Sequence, residues 1–163
     1  MLRSITFFFL LNVTLSFAQS QKISPNKKSV LQSVERHSAK LIETSDKIWA
    51  HAEIAFQETE SYKLLADLAE ANGFKVERGV AEIPTAFLAT FGSGSPVIGI
   101  LGEFDALPGL SQKAVPQKDP LTEGKPGHGC GHNLFGTASL GAAIAIKELI
   151  EQGKLKGRSE ERR

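Results

Sequence analysis

Two short segments of the sequence gather residue types that can do chemistry together. In Gly127-His128-Gly129-Cys130-Gly131-His132-Asn133 a thiol and an imidazole stand two residues apart. Thiolate and imidazole are both strong ligands for zinc-like cations. The glycines on either side of Cys130 remove side-chain bulk and allow unusual backbone angles, so the chain can fold closely around an ion. In Gly102-Glu103-Phe104-Asp105-Ala106-Leu107-Pro108 two acids stand two apart, directly after the apolar run Val97–Leu101. If that run is a buried strand, its carboxyl end is where α/β folds place their sites. Side chains two apart on an extended chain point the same way.

Neither segment fits two other well-known loops. A nucleophile elbow needs glycines two before and two after the nucleophile, and those places hold His128 and His132. A dinucleotide loop needs glycines at its first, third and sixth positions; counted from Gly127 the sixth is His132, and from Gly129 it is Leu134. Three readings of Cys130 stay open on residue types: a metal ligand, a thiol nucleophile paired with histidine, or a buried inert cysteine. His132 and Asn133 lie at the mouth of a predicted helix, whose partial positive charge favours a thiolate or an anionic substrate group. A catalytic zinc takes about three protein ligands plus water. Cys130, His132 and one of Glu103 or Asp105 make a short set, and His37 and His51 sit on predicted helices away from it.

The elements that must position these groups follow from periodicity. Lys27 to about Ala52 carries Val30, Val34, Leu41, Ile42, Ile48 and Trp49 near helical spacing, which predicts one long amphipathic helix or two broken near Ser45. Thr59 to Asn72 predicts a second helix, with Gly73 ending it. Phe74–Val80, Thr85–Phe91 and Val97–Leu101 read as strands, and Gly92-Ser93-Gly94-Ser95-Pro96 reads as a hairpin turn between the last two. Residues 102–131 are rich in Gly and Pro and without period, the kind of long loop that usually carries function. Leu134–Ile150 is apolar nearly all round, a helix to be buried on the sheet with Asn133 as its N-cap. The order predicts an α/β layered domain. The polar ending from Gly157 stands where a further strand is expected.

Composition narrows the function classes. Of 163 residues, 19 are Lys or Arg and 18 Asp or Glu, a net charge of +1 that gives no case for nucleic acid or an anionic membrane as partner. One cysteine excludes an internal disulfide framework. Residues 1–18 read as a signal peptide: Arg3, then the apolar stretch Ile5–Phe17, then Ser16-Phe17-Ala18 as a cleavage site. The stretch is shorter than the ~20 residues of a membrane span, so no permanent anchor is expected. Its removal predicts an exported, periplasmic or secreted, protein of balanced charge. There a lone thiol needs protection by burial or by a metal. Residues 19–26 read as a tether.

From about residue 30 to residue 157 the sequence resembles the M20 metallopeptidase/amidohydrolase family, most of all its aminobenzoyl-glutamate hydrolase-like subgroup. The segments that carry the likeness are Ile83-Pro84-Thr85-Ala86-Phe87-Leu88-Ala89, Gly92 through Gly109, His128 through Leu134, and Gly136-Thr137-Ala138. The resemblance implies the N-terminal part of a zinc-peptidase-like three-layer α/β catalytic domain over 27–157, incomplete, with a divergent tail at 158–163. It implies two divalent metal ions, zinc or manganese, in a complete site, with a bridging thiolate leaning towards zinc. It implies cleavage of amide bonds in N-acyl amino acids or dipeptide-like small molecules, and homo- or hetero-oligomeric full-length relatives. Matched by motif, Cys130 corresponds to the metal-bridging thiolate, His132 to a metal ligand, and Asp105 to the acid that supports the site. Glu103 stands where other branches have histidine, and His128 is a neighbour of the ligands rather than one of them. The general base and the later ligands of the family have no counterpart before the tail, which implies a truncated or frame-shifted product that is inactive alone.

Overall fold

The computed structural model describes residues 23–162, so the expected signal peptide and residues 19–22 of the expected tether lie outside the described residues. Helix α1, Pro25–His51, is one continuous helix with no break at Ser45. It starts two residues before the expected boundary because Ser24 caps it, accepting a bond from the Lys27 N–H, and Pro25 supplies a preset first turn. It ends at Ala52 in the left-handed conformation, whose N–H reaches the Ile48 carbonyl. Helix α2, Thr59–Ala71, follows. Strands β1 (Lys75–Arg78), β2 (Phe87–Ser93) and β3 (Val97–Leu101) come next, then the long loop, helix α3 (His132–Glu151), and strand β4 (Gly157–Arg162).

The sheet corrects two expectations. Its order is β1-β2-β4-β3, with β1/β2 and β2/β4 antiparallel and β4/β3 parallel. The polar ending is therefore not a tail without a place in the fold: it is a strand, and an inner one. Its backbone is paired on both sides, Arg158 and Glu160 bond each other, and Ser159 and Glu160 are buried, with Ser159 Oγ and Arg158 Nε lacking a hydrogen-bond partner. β2 and β3 also do not form the expected hairpin. The Gly-Ser-Gly-Ser turn reverses the chain, but β4 slots between the two strands. The link β3–α3–β4 is a strand–helix–strand crossover, the connection a parallel pair requires. Gly92 and Gly157 make that insertion possible: a Cβ at Gly92 would meet the Gly157 carbonyl at 2.5 Å.

A third correction concerns β3, expected to be buried. It is the sheet's edge, and Val97, Ile98 and Leu101 are exposed. The core lies elsewhere, among Ile48 of α1, Leu65 and Leu68 of α2, Phe74, Phe87 of β2, Phe104 of the loop, and Leu140 and Ile144 of α3. Helix α3 is long and apolar enough to cross a bilayer, but more than half of its residues are buried against α1, α2 and the sheet. His37 and Arg36 of α1 both bond Glu148 of α3, clamping the two helices on their outer side.

Leu140 is fully buried at the centre of α3, whereas Ile42 on α1 is 60% exposed. Leu140→Ala is expected to lower unfolding free energy by about 2–5 kcal/mol, and Ile42→Ala by no more than about 0.5 kcal/mol. Urea denaturation of both variants checks the contrast.

Candidate metal centre

Phe104 decides where the two acids of the first segment point. Its ring is 1% exposed and packs 6.3 Å from the ring of Phe87, inside the core. β3 has ended by then, but the backbone keeps enough extension that Glu103 and Asp105, on either side of Phe104, face the same way. Both meet His132. Its Nδ1–H donates to Asp105 Oδ1 at 2.9 Å, and its Nε2 lies 3.3 Å from Glu103 Oε2. Ligand atoms from Glu103, Asp105 and His132 all lie within 4.8 Å of one another, and all three residues are half-buried.

Helix α3 brings His132 there. The cap is Gly131 with φ +77°, a left-handed position that glycine occupies without penalty, so His132 is the first helical residue. Asn133, the expected cap, is instead buried inside the first turn, and its Nδ2 donates to Ser45 Oγ of α1 at 3.1 Å. The helix rides directly on the acidic segment: a Cβ at Gly136 would stand 2.8 Å from the Glu103 carbonyl oxygen. Ser139 Oγ donates to the Leu101 carbonyl at 2.9 Å. Glycines at 127 and 129 are needed for a different reason, because Leu110 lies against both; a Cβ at Gly127 would meet the Leu110 carbonyl oxygen at 2.0 Å.

The second segment divides. His132 joins the acids. Cys130 is exposed in the turn before α3 and is not a member of that cluster. His128 turns the other way, its Nε2–H donating to the Ile48 carbonyl at 3.0 Å, which ties the motif to the end of α1. Burial pushes its pKa below the usual imidazole range, helped by the neighbouring His132 and opposed by the Ile48 carbonyl and Asp105. Its Nδ1 is buried without a hydrogen-bond partner. His51 ends α1 in solvent.

One positioning residue has no place in the sequence motifs. Glu53 accepts four bonds at the start of α2: from the backbone N–H of Glu60 (3.0 Å) and of Ser61 (2.8 Å), and from the hydroxyls of Ser61 (2.8 Å) and Thr59 (3.2 Å). Its own carbonyl accepts the Ala106 N–H at 2.7 Å, next to Asp105. The signal available was an acid a few residues ahead of a Thr-Glu-Ser helix start; its second task, holding Ala106, left no trace in the sequence.

The donor set suits a divalent cation. Ligand atoms of two carboxylates and one imidazole lie within 4.8 Å of one another, a hard–borderline mixture of oxygen and nitrogen donors that such ions accept. Asp105 holds the ring by Nδ1, the carboxylate–histidine arrangement that orients a ligand nitrogen.

No protein-family model matches the sequence. One subunit of the p-aminobenzoyl-glutamate hydrolase of Escherichia coli (strain K12) is 50% identical over 120 residues, covering 73% of this chain and 25% of that protein. The human Xaa-Arg dipeptidase is 27% identical over 147 residues, covering 77% of this chain and 30% of that protein. Among solved structures, a dinuclear metal-binding peptidase of the M20 family from Bacillus subtilis superposes with a TM-score of 0.66 at 25% identity, over 78% of this chain and 35% of that one. The chain therefore spans about a quarter to a third of the length of these relatives.

Burial pushes the Glu53 carboxyl up, but its four donors outweigh that and hold it below the usual carboxylate range. A lowered folded pKa means stability that is full above pH 4.5 and is lost as pH falls through the folded value. Glu53→Gln is expected to melt below wild type at neutral pH, with the gap closing as pH falls below 4.5 and through the lowered folded value. Thermal melts across that range check it; a constant gap contradicts it.

Proposed function

We propose that this chain, which belongs by sequence and fold with the M20 metallopeptidase/amidohydrolase family, contributes part of a metal-dependent centre that hydrolyses amide bonds of N-acyl amino acids or dipeptide-like small molecules. The observation that carries the reading is the gathering of ligand atoms from Glu103, Asp105 and His132 within 4.8 Å of one another. When bound there, a divalent cation supplies Lewis-acid polarisation of a carbonyl and acidification of water. His132 and the acids are the residues that would hold it, and we add Cys130, two residues before His132, as a further donor. A thiolate in the set leans towards zinc over manganese; the Bacillus subtilis relative supports a pair of ions in the complete site.

The chain's own residues do three things in this reading. Asp105 takes the Nδ1 proton of His132 in a hydrogen bond, which fixes the ring's tautomer and leaves Nε2 as the binding nitrogen. Glu103 places negative charge beside that nitrogen. Glu53 and Gly136 fix the backbone on which both acids sit. A proton acceptor and further donors are assigned to the part of the relatives that this chain does not span, so the isolated chain is expected to bind metal weakly and hydrolyse little.

The N-terminal pattern of Arg3, apolar stretch and Ala18 supports an exported protein. The balanced charge supports a small-molecule substrate rather than nucleic acid. That the Escherichia coli relative is one subunit of a hydrolase supports an oligomer for the complete protein.

Equilibrium dialysis against Zn(II) and Mn(II) tests the centre. His132→Ala is expected to abolish binding, Asp105→Asn to weaken it about 10–100-fold, and Cys130→Ser to weaken it measurably. Binding that ignores His132→Ala removes the assignment. Hydrolysis of an N-acyl amino acid that survives chelators but is lost on alkylating Cys130 replaces it with thiol chemistry.

A further inference from the structure

Glu58 stands at the start of α2, where a carboxylate ordinarily accepts from the free N–H groups of the first turn. It makes no such bond. The donors in question, the N–H groups of Glu60 and Ser61, are taken by Glu53. The Glu58 side chain turns inward instead and is fully buried. Burying a carboxylate is costly unless it is hydrogen-bonded. Thr85, itself buried, donates from Oγ1 to Glu58 Oε2 at 2.8 Å. With the helix start already satisfied by Glu53, this second buried acid calls for another reason.

The bond joins two segments that share a peculiarity. One is the strap of residues 52–58 between α1 and α2; the other is the loop of residues 79–86 between β1 and β2. Among the described residues, the non-glycine positions with positive φ all lie on one or the other: Ala52 (+46°) and Phe56 (+65°) on the strap, Ala81 (+55°) and Glu82 (+62°) on the loop. Ala52 caps α1, but Phe56 gains nothing by burial, being 70% exposed. Gln57 N–H bonds the Ile54 carbonyl at 3.0 Å across it, closing a turn that calls for Gly or Asn where Phe56 stands. Strained angles persist only where the surroundings over-determine them. Glu53 and Glu58 supply that constraint, one near each end of the strap.

The strap also carries the acidic segment. The Ala106 N–H donates to the Glu53 carbonyl at 2.7 Å, and Ile54 and Ala106 pair as an isolated parallel bridge. Asp105, one residue back, is the acid bonded to His132. Phe56 of the strap and Ile83 and Ala86 of the loop line a cavity of about 240 Å³ that opens on Glu103 and Asp105. We propose that Glu58 is a positioning residue: through Thr85 it fixes the strap against the start of β2, and the strap holds Asp105 in reach of His132. This deepens the hydrolase reading and rests on it for what Asp105 and His132 do; the tie between strap and loop does not need the metal.

Hydrogen exchange of the metal-free chain reads the strap through the Ala106 amide, bonded to Glu53, against the Phe74 amide, bonded to Ala69 in the core. Thr85→Val keeps the shape, removes the hydroxyl and takes a donor from the buried carboxylate. It is expected to speed Ala106 about tenfold or more relative to Phe74. Glu58→Met removes the acceptor and is expected to move the ratio the same way. Thr85→Ser restores the donor and is expected to keep the wild-type ratio. Leu140→Ala, a core variant, is expected to speed Phe74 at least as much as Ala106, so lost stability alone does not imitate the result. Zinc dialysis on the same samples is expected to show binding about tenfold weaker in Thr85→Val and unchanged in Thr85→Ser. An unmoved ratio in folded Thr85→Val, a Thr85→Ser variant as altered as Thr85→Val, or a moved ratio with undiminished zinc affinity overturns the positioning role while the metal centre stands. A moved ratio in a chain whose wild type takes no zinc ends the metal centre and leaves the tie between Glu58 and the strap in place.

Discussion

The hydrogen bond from His132 Nδ1 to Asp105 Oδ1 joins the two chemical segments across 27 residues of sequence, and the surrounding structure is arranged to hold both of its ends. The acidic segment is no longer strand, so the sheet cannot fix it. It is pinned residue by residue instead: Leu101 by the Ser139 hydroxyl, Glu103 by the close approach of Gly136, Ala106 by the Glu53 carbonyl, and Leu107 by paired backbone bonds to Gly127. Phe104 drives into the core between the acids and sets their direction. A loop gains the precision of a strand when each of its backbone groups has a partner elsewhere.

That frame also explains how two carboxylates can face one imidazole at such short range. Like charges this close repel, and in a mobile loop they would swing apart into water. Here the repulsion is offset by hydrogen bonds and packing made at neighbouring residues, before any cation arrives. A cation then meets donors already placed, with little ordering left to do. The same preorganisation accounts for Gly131: only a left-handed cap lets α3 begin at His132, with the ring over the acids rather than one turn away.

How much of this was legible in the sequence depends on what kind of signal each part leaves. The three helices and the first three strands were readable because apolar periodicity made them, and Cys130, His132, Glu103 and Asp105 stood out by residue type. β4 was missed because its sequence, Gly-Arg-Ser-Glu-Glu-Arg, carries no apolar pattern; it is a strand through its pairing on both sides. The hairpin was misread because the turn residues report a reversal of direction, and a third strand can enter between two strands that a turn joins. Asn133 was misplaced because a capping side chain and a buried helix-to-helix bond look alike in sequence, and Ser45, its partner, is 88 residues away. Glu53 and Phe56 had no signal that composition could show: one acts through a backbone carbonyl, the other through an unusual φ.

β3 shows where local and global readings part. Val97-Ile98-Gly99-Ile100-Leu101 has the composition of a strand covered on both faces, as parallel strands usually are, and its one neighbour is indeed parallel. Yet it lies at the edge with Val97, Ile98 and Leu101 exposed. Edge strands in soluble proteins are normally short, charged or bulged, because an apolar edge invites further pairing. β3 is short but has none of the other protections, and the apolar groove between Val30, Val34 and Ile42 of α1 and Leu134 of α3 is similarly open. Apolar surface is thus open both along β3 and between α1 and α3. The relatives are longer chains, matched over only 25% and 30% of their length, and have further residues that can cover such flanks. The centre takes shape through bonds made inside this chain, from Ser45 and Ile48 of α1 through Glu53 to Ser139 of α3.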